Sequence, residues 1–172
     1  PPQQNLGDHW YAGTADAVAQ NLFAIKEENP QTVLILSGDH IYKMDYRELL
    51  QAHADTGADV TVGAVEVPRI DASSFGVLHI DGASKILHFQ EKPPKPEPVP
   101  EDPDVCLASM GIYVFRAEVL YESLLADAED PNSSHDFGKD ILPKLVDKRP
   151  LYAFRFIDKN KKQTKYWRDV GT

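Results

Sequence analysis

The chain has 172 residues, 42% of them hydrophobic, with 18 basic against 27 acidic side chains and a formal net charge of -9. That length accommodates one domain with a real core and is too short for two comfortable ones. The acidic balance argues against a nucleic-acid binder, whose affinity rests on clustered Lys and Arg, and the single cysteine, Cys106, rules out an internal disulfide and a cysteine-built zinc site.

Gly13-Thr14 precedes TADAVAQNLFAIKEEN, where Val18, Leu22 and Ile25 recur at helical spacing. Thr14 and Asp16 supply cap and first-turn charge, so a helix is expected from about Ala15 to Glu28, before Pro30. Val33 to His40, VLILSGDH, is an apolar run that stops at Ser37-Gly38-Asp39-His40, which predicts a strand buried on both faces. Its end has two readings. Gly38 and Asp39 either turn the chain and cap the next segment, or place a carboxylate where open α/β sheets bind ligands. Asp45 with Glu48 forms a capping-box-like start for the helix YRELLQAHADTG, and Asp59 to Val67 is the next strand. Helix, strand, helix, strand implies parallel α/β winding.

GVLHI and KILHF flank Asp81-Gly82-Ala83-Ser84, a hairpin signal with Gly82 in the turn, which makes the sheet mixed. The proline-rich stretch Lys92 to Asp104 holds neither ladder nor helix and reads as a surface loop beside a site rather than as a domain linker. Leu107 to Phe115 reads as a buried strand, and AEVLYESLLADA as an amphipathic helix with Val119, Leu120 and Leu124 inward. Asp136 caps a further helix through Phe137, Ile141 and Leu145, shortened or kinked by Pro143, and Leu151 to Ile157 is a last strand.

The basic patch Lys159 to Lys165 is short, lacks stacking aromatics and reads as a solvated loop. No apolar run reaches the length of a membrane span and no signal-peptide pattern opens the chain, so a cytoplasmic protein without membrane or nucleic-acid partners is expected. Both ends, Pro1 and Thr172, look cut.

Glu91-Lys92 emerges where a strand stops, and a Lys there suits a phosphate as a point charge, although an ordinary solvated pair fits the same residues. Ser133 to Asp140 crowds hydroxyls, an imidazole and carboxylates at a helix start that favours anions, with capping as the larger share. Three consecutive residues do not converge as a Ser-His-Asp triad must. Tyr166 to Thr172 adds Asp169, and two separated aspartates with a Lys are the minimum for holding hydrated Mg2+ against phosphates, though spacing alone does not bring Asp39 and Asp169 together. Neither a P-loop nor a G-x-G-x-x-G motif occurs, and the six histidines lack paired metal spacing. An aspartyl-phosphate phosphatase with Asp39 as nucleophile lacks the second Asp two residues on, where Ile41 stands.

Together, WYAGTADA, SGDHIYKMDY, SSFGV, FQEKP, LASMGIYVF, SSHDFGKDILP and YWRDVGT resemble, in order, the catalytic domain of the glucose-1-phosphate adenylyltransferases, the ADP-glucose pyrophosphorylases. The resemblance implies an α/β, Rossmann-like nucleotide-diphospho-sugar transferase fold, a mixed and mostly parallel sheet flanked by helices with an antiparallel hairpin insertion. Residues 1–172 would form one nucleotidyltransferase catalytic domain, lacking the family's amino-terminal Gly-rich loop and carboxy-terminal β-helix. The implied enzyme transfers the adenylyl group of ATP to α-D-glucose 1-phosphate, giving ADP-glucose and pyrophosphate for glycogen or starch synthesis, and this segment alone would be inactive.

By resemblance, Asp39 and Asp169 would hold Mg2+ and Lys92 would grip the sugar phosphate. Gly76, Glu91, Ser109, Tyr113, Asp136, Phe137 and Trp167 would surround the glucose moiety, with an aromatic face among them. Tyr11, Gly13, Thr14 and Ala15 would lie on the nucleotide side, and Trp10 matches a loop implicated in allosteric response. The family implies a homotetramer with sugar-phosphate or nucleotide effectors. A non-catalytic regulatory subunit of the same family is the alternative; loss of a metal Asp or the phosphate Lys would mark it, and Asp39, Lys92 and Asp169 are all present.

Overall fold

The computed structural model describes residues 10–38, 40–42, 44–158, 163–164 and 167–169, with 40–42, 158, 163–164 and 167–169 described by their backbone alone. In chain order the elements are α1 (Thr14–Ala19), α2 (Leu22–Glu27), β1 (Thr32–Ile35), β2 (His40–Tyr42), α3 (Tyr46–Thr56), β3 (Val60–Pro68), β4 (Gly76–Ile80), β5 (Ile86–Glu91) and β6 (Val105–Arg116). They continue with α4 (Ala117–Ala128), a π-helical turn (Phe137–Ile141), α5 (Leu142–Val146), β7 (Leu151–Arg155), β8 (Ile157–Asp158), β9 (Gln163–Thr164) and β10 (Trp167–Asp169).

The expected first helix is two. The chain breaks at Gln20-Asn21, where the Asn21 side-chain amide donates to the Ala17 carbonyl at 2.8 Å, a local bond that competes with the helical ladder. α3 begins and ends as its sequence dictates: Asp45 Oδ1 accepts from the Arg47 amide, and Gly57 closes the helix in the left-handed region at φ 61°. Asp136 caps as expected, and the turn after it is wound wider than an α-helix before Pro143 enters α5 in its first turn.

The main sheet has six strands in the order β5-β4-β6-β3-β7, with β1 also on β6. β1, β3, β4 and β7 run one way and β5 and β6 the other, so the helix-strand winding does deliver parallel strands. β1 and β3 are not neighbours, however, because the long β6 inserts antiparallel between them, and among the described residues only the β3–β7 ladder of this sheet is parallel. In the β4–β5 hairpin the left-handed residue is Ser84, at φ 64°, and Asp81 Oδ1 accepts from the amides of Ala83 and Lys85, which closes the turn.

Alternating side chains of β6 feed two cores. Leu107, Tyr113 and Phe115 join Val60, Val62, Leu78, Phe89, Leu120 and Leu142 on the face covered by α1, α2, α4 and α5. Ala108, Met110, Ile112 and Val114 join Leu49 of α3 and Phe156 on the other. β1 departs from expectation: it is only half-buried, and Leu36 is 43% exposed, with β6 the one strand that pairs with β1 among the described residues.

Candidate functional site

β3 runs along one edge of β6 throughout, from Val60 opposite Phe115 to Pro68 opposite Val105. The other edge is shared. β1 occupies it at Tyr113 to Arg116, and β4 pairs there with Leu107 and Ala108. Both run antiparallel to β6, so the carboxyl end of β1 faces the amino end of β4 across residues 109–112, which neither strand covers. At the same place β6 bulges: Gly63 is opposite Ile112 and Ala64 opposite Ser109, leaving Met110 and Gly111 without partners on β3, with Gly111 at φ 65°.

A cavity of about 500 Å³ opens in this gap. Ser109, Gly111 and Tyr113 of β6 line it, with Leu36 to Gly38 after β1, Ser74 to Gly76 entering β4, and Glu91-Lys92 ending β5. Thr14 of α1 and Asp136 to Gly138 close the remaining side. Strand ends meeting at a sheet discontinuity are where α/β folds accept ligands.

Glu91 fits its wall because two glycines make room for it. A Cβ on Gly76 would stand 2.9 Å from Glu91 Oε2, and one on Gly138 would stand 2.6 Å from the same oxygen. Burial, and after it the nearby Asp136 carboxylate, push the Glu91 carboxyl above its usual range, against the pull of Lys92 and Lys139. Lys92 adopts φ 46°, unusual for a side-chain-bearing residue, and is fixed there by its amide donating to the Phe75 carbonyl at 3.0 Å. The proline-rich loop after it is pinned rather than loose: Arg69 Nε donates to Pro96 O, the Val99 amide donates to Val105 O, and Val99 is buried.

Tyr113 is buried, and its hydroxyl, bonded to Ser109, is pushed up to about 12 chiefly by loss of solvent. Phe137 packs its ring 5.5 Å from Tyr113 and 5.8 Å from Phe115, and is only 2% exposed. Little of that ring is left to offer a ligand; it sets the position of Tyr113 instead.

The GT element and the SSHDFGKD element dock on each other. Thr14 Oγ1 donates to Asp136 Oδ2 at 3.0 Å and accepts from the Phe137 amide at 3.1 Å, while Asp136 Oδ1 accepts from the amides of Gly138 and Lys139. The amides of Ala15 and Asp16 donate to the His135 carbonyl. A Cβ on Gly13 would run into the carbonyls of Ser134 and His135, so only Gly lets these backbones approach.

Of the residues expected from the sequence, Thr14, Gly76, Glu91, Lys92, Ser109, Tyr113, Asp136 and Phe137 therefore meet around one cavity. Gly13 and Ala15 do not line it: Gly13 packs on the 134–135 backbone and Ala15 is fully buried with its amide on His135. Tyr11 lies off the cavity too, its hydroxyl accepting from the Asn21 amide at 3.4 Å, and Trp10 is 85% exposed. Asp39 lies outside the described residues, and of Trp167 and Asp169 only the backbone is described. That backbone is informative, since β10 pairs antiparallel with β2 and sets Asp169 opposite His40, the residue after Asp39. Sequence reasoning passed over Gly111 and Gly138; a Gly inside a strand and a Gly in the first turn after a helix cap are the signals that find them.

Among the described residues no cluster of three or more His, Cys, Asp or Glu side chains is placed to hold a metal, and no helix is long and apolar enough to cross a membrane. Ser133 Oγ donates to Asp127 rather than toward His135, so the hydroxyl is not paired with the imidazole as a hydrolase triad requires.

A nucleotidyl transferase family profile matches residues 1–172. The glucose-1-phosphate adenylyltransferase of Rhodopirellula baltica is 54% identical over all of this chain and 39% of its own length. Those of Hydrogenovibrio crunogenus and Methylococcus capsulatus are 52% and 50% identical, again over the whole chain and over 40% and 41% of their own lengths. The chain thus spans about two fifths of the curated relatives it matches. With a profile match from end to end and a cavity built at a break in a mixed α/β sheet, the chain belongs to the nucleotidyl transferase family.

Proposed function

We propose that this chain is the sugar-phosphate half of a glucose-1-phosphate adenylyltransferase catalytic unit, working in an enzyme that makes ADP-glucose from ATP and glucose 1-phosphate. The observation that carries the reading is the convergence of Glu91, Lys92, Ser109, Tyr113 and Asp136, drawn from two strands and a helix start, on one cavity. It agrees with the names of the relatives.

In the proposed reaction an oxygen of the glucose 1-phosphate attacks the α-phosphorus of ATP. The new P–O bond forms as the bond from that phosphorus to the β-phosphate's bridging oxygen breaks, and the electron pair leaves with pyrophosphate. The chain's part is positioning and charge neutralisation. Lys92, held at its unusual φ, presents a cation to the sugar phosphate. Glu91, Ser109, Tyr113 and Asp136 offer acceptors and donors to the sugar hydroxyls, and Gly76 and Phe137 shape the wall around them. Thr14 anchors the start of α1, on the proposed nucleotide side with Tyr11, Gly13 and Ala15.

A divalent cation, Mg2+ by resemblance, suits the donor set: Asp39 and Asp169 are hard oxygen donors, and the β2–β10 ladder pairs Asp169 with the residue after Asp39. When bound, the ion would neutralise charge on the phosphate oxygens. The aromatic face toward the sugar falls in this reading to Trp167. A cytoplasmic setting, a homotetramer and allosteric effectors of sugar-phosphate or nucleotide type complete the proposal.

The test is ATP-dependent release of pyrophosphate with glucose 1-phosphate, measured on the complete protein and on Lys92→Ala. Turnover in the parent and a KM for glucose 1-phosphate raised about a hundredfold in the variant are expected, from the loss of a charge-assisted contact. A parent that forms no ADP-glucose, or a variant with an unchanged KM, overturns the reading.

A further inference from the structure

Asp127, near the end of α4, is 4% exposed, yet no cation from Lys or Arg pairs with it among the described ion pairs. Its two oxygens go elsewhere. Oδ1 accepts from Ser133 Oγ at 2.6 Å and Oδ2 meets His135 Nδ1 at 2.8 Å. A carboxylate only accepts, so Nδ1 carries the proton and donates. Ser133 Oγ also accepts from the His135 amide at 2.9 Å, so backbone and ring of His135 are tied to the same pair of side chains.

His135 gains from that restraint, because it stands at φ 56°, a left-handed conformation that few side-chain-bearing residues adopt unless their surroundings hold them there. In this conformation its carbonyl meets the Ala15 amide at 2.8 Å and the Asp16 amide at 3.3 Å, at the start of α1. The next residue, Asp136, turns to cap the π-helical turn and accept from Thr14. One residue thus meets the buried Asp127 with its ring, the first turn of α1 with its carbonyl, and the cavity wall through its neighbour.

We infer that His135 is a positioning residue which, held by the buried Asp127, fixes Asp136 and Thr14 at the cavity wall and so sets the affinity for the sugar phosphate. The inference rests on the cavity being the sugar-phosphate site. His135 itself does not line the cavity, so its effect passes through Asp136 and the start of α1.

The experiment compares His135→Ala and His135→Asn in the complete protein, by amide hydrogen exchange and by the KM and kcat for glucose 1-phosphate. Asn tolerates a left-handed φ, and its side-chain amide nitrogen sits where Nδ1 does, so it keeps both the conformation and the bond. In His135→Ala, exchange at Ala15, Asp16, Gly138 and Lys139 is expected to accelerate at least about tenfold while the α3 amides stay protected. KM for glucose 1-phosphate rises about ten- to a hundredfold in the same variant, as expected when binding groups shift by about an ångström. His135→Asn restores both.

The inference is overturned if His135→Ala leaves those amides and KM unchanged. It is also overturned if α3 loses protection together with them, which marks a general loss of stability, or if the Asn variant behaves as the Ala variant. A parent protein that does not use glucose 1-phosphate removes the reading of the cavity instead, and the exchange measurement still decides whether His135 holds the wall.

Discussion

The carboxylate of Glu91 occupies the space that a side chain on Gly138 would need, Oε2 lying 2.6 Å from where that Cβ would be. Gly138 is not in a left-handed conformation, so Ala is acceptable to its backbone, and the cost of the substitution is the displacement of Glu91. Gly138→Ala is expected to raise KM for glucose 1-phosphate about tenfold or more and to lower stability by about 1–3 kcal/mol, the usual range for overpacking. Steady-state kinetics with urea unfolding checks both; a Gly138→Ala protein with normal KM shows that Glu91 moves aside without consequence.

Glu91 also gives the fold a pH dependence. Its carboxyl is held above the ordinary value of 4.5, so between 4.5 and the raised value the native state binds more protons than the unfolded one. Its contribution is complete at low pH and is lost as pH climbs through that window. The stability difference between Glu91→Gln and the parent should therefore shift in favour of the variant as pH rises from about 4.5 toward neutrality. Urea midpoints measured across that range read it directly, and parallel curves for the two proteins contradict it.

Tyr113 makes the corresponding statement at high pH. A phenol moved from 10 to about 12 keeps its proton in the native state after unfolded tyrosine has ionised, so stability falls as pH rises from 10 upward. Ultraviolet titration of the native protein should show a late-ionising tyrosine that is absent in Tyr113→Phe. A titration unchanged by that substitution assigns the late phenol elsewhere.

Thr14 joins two segments 122 residues apart by donating to Asp136 and accepting from the Phe137 amide. Thr14→Val removes both bonds at nearly constant shape and is expected to cost about 1–3 kcal/mol, with Thr14→Ser recovering most of it. Thermal unfolding distinguishes these outcomes.

Asp39 and Asp169 are predicted to act on turnover and not on folding. Asp39→Asn should reduce kcat by about a hundredfold or more with little change in melting temperature, and chelation of divalent ions should abolish parent turnover reversibly. Near-normal kcat in Asp39→Asn sinks the metal assignment.

Much of the site was legible because its residues cluster at local breaks: Glu91-Lys92 where a strand meets prolines, Asp136 where a helix begins. The α3 caps were legible for the same reason, since Asp45 and Gly57 act on their own immediate neighbours. Long-range pairings were not. Nothing in LASMGIYVF says that it will separate β1 from β3, because insertion of a strand between two others is decided by connections that local periodicity does not encode. The break at Gln20-Asn21 escaped because Val18, Leu22 and Ile25 keep their spacing on both sides of it. The roles of Gly13 and Gly138 lie in what their missing side chains would strike, and those partners come from distant segments.

The split edge of β6 decides what holds the cavity floor in place. Residues of a paired strand answer to two neighbours, so a change in one is resisted by the ladders on either side. Among the described residues, Ser109 and Ile112 pair with β3 alone, and Met110 and Gly111 not even with that. The floor of the cavity is thus held by packing and backbone conformation more than by pairing: Met110 and Ile112 are fully buried with Leu49 and Phe156, and Gly111 stands in the left-handed region. A change at these residues is therefore felt first in the core beneath the cavity, while the pairing that holds the two halves of the sheet together stays as it is.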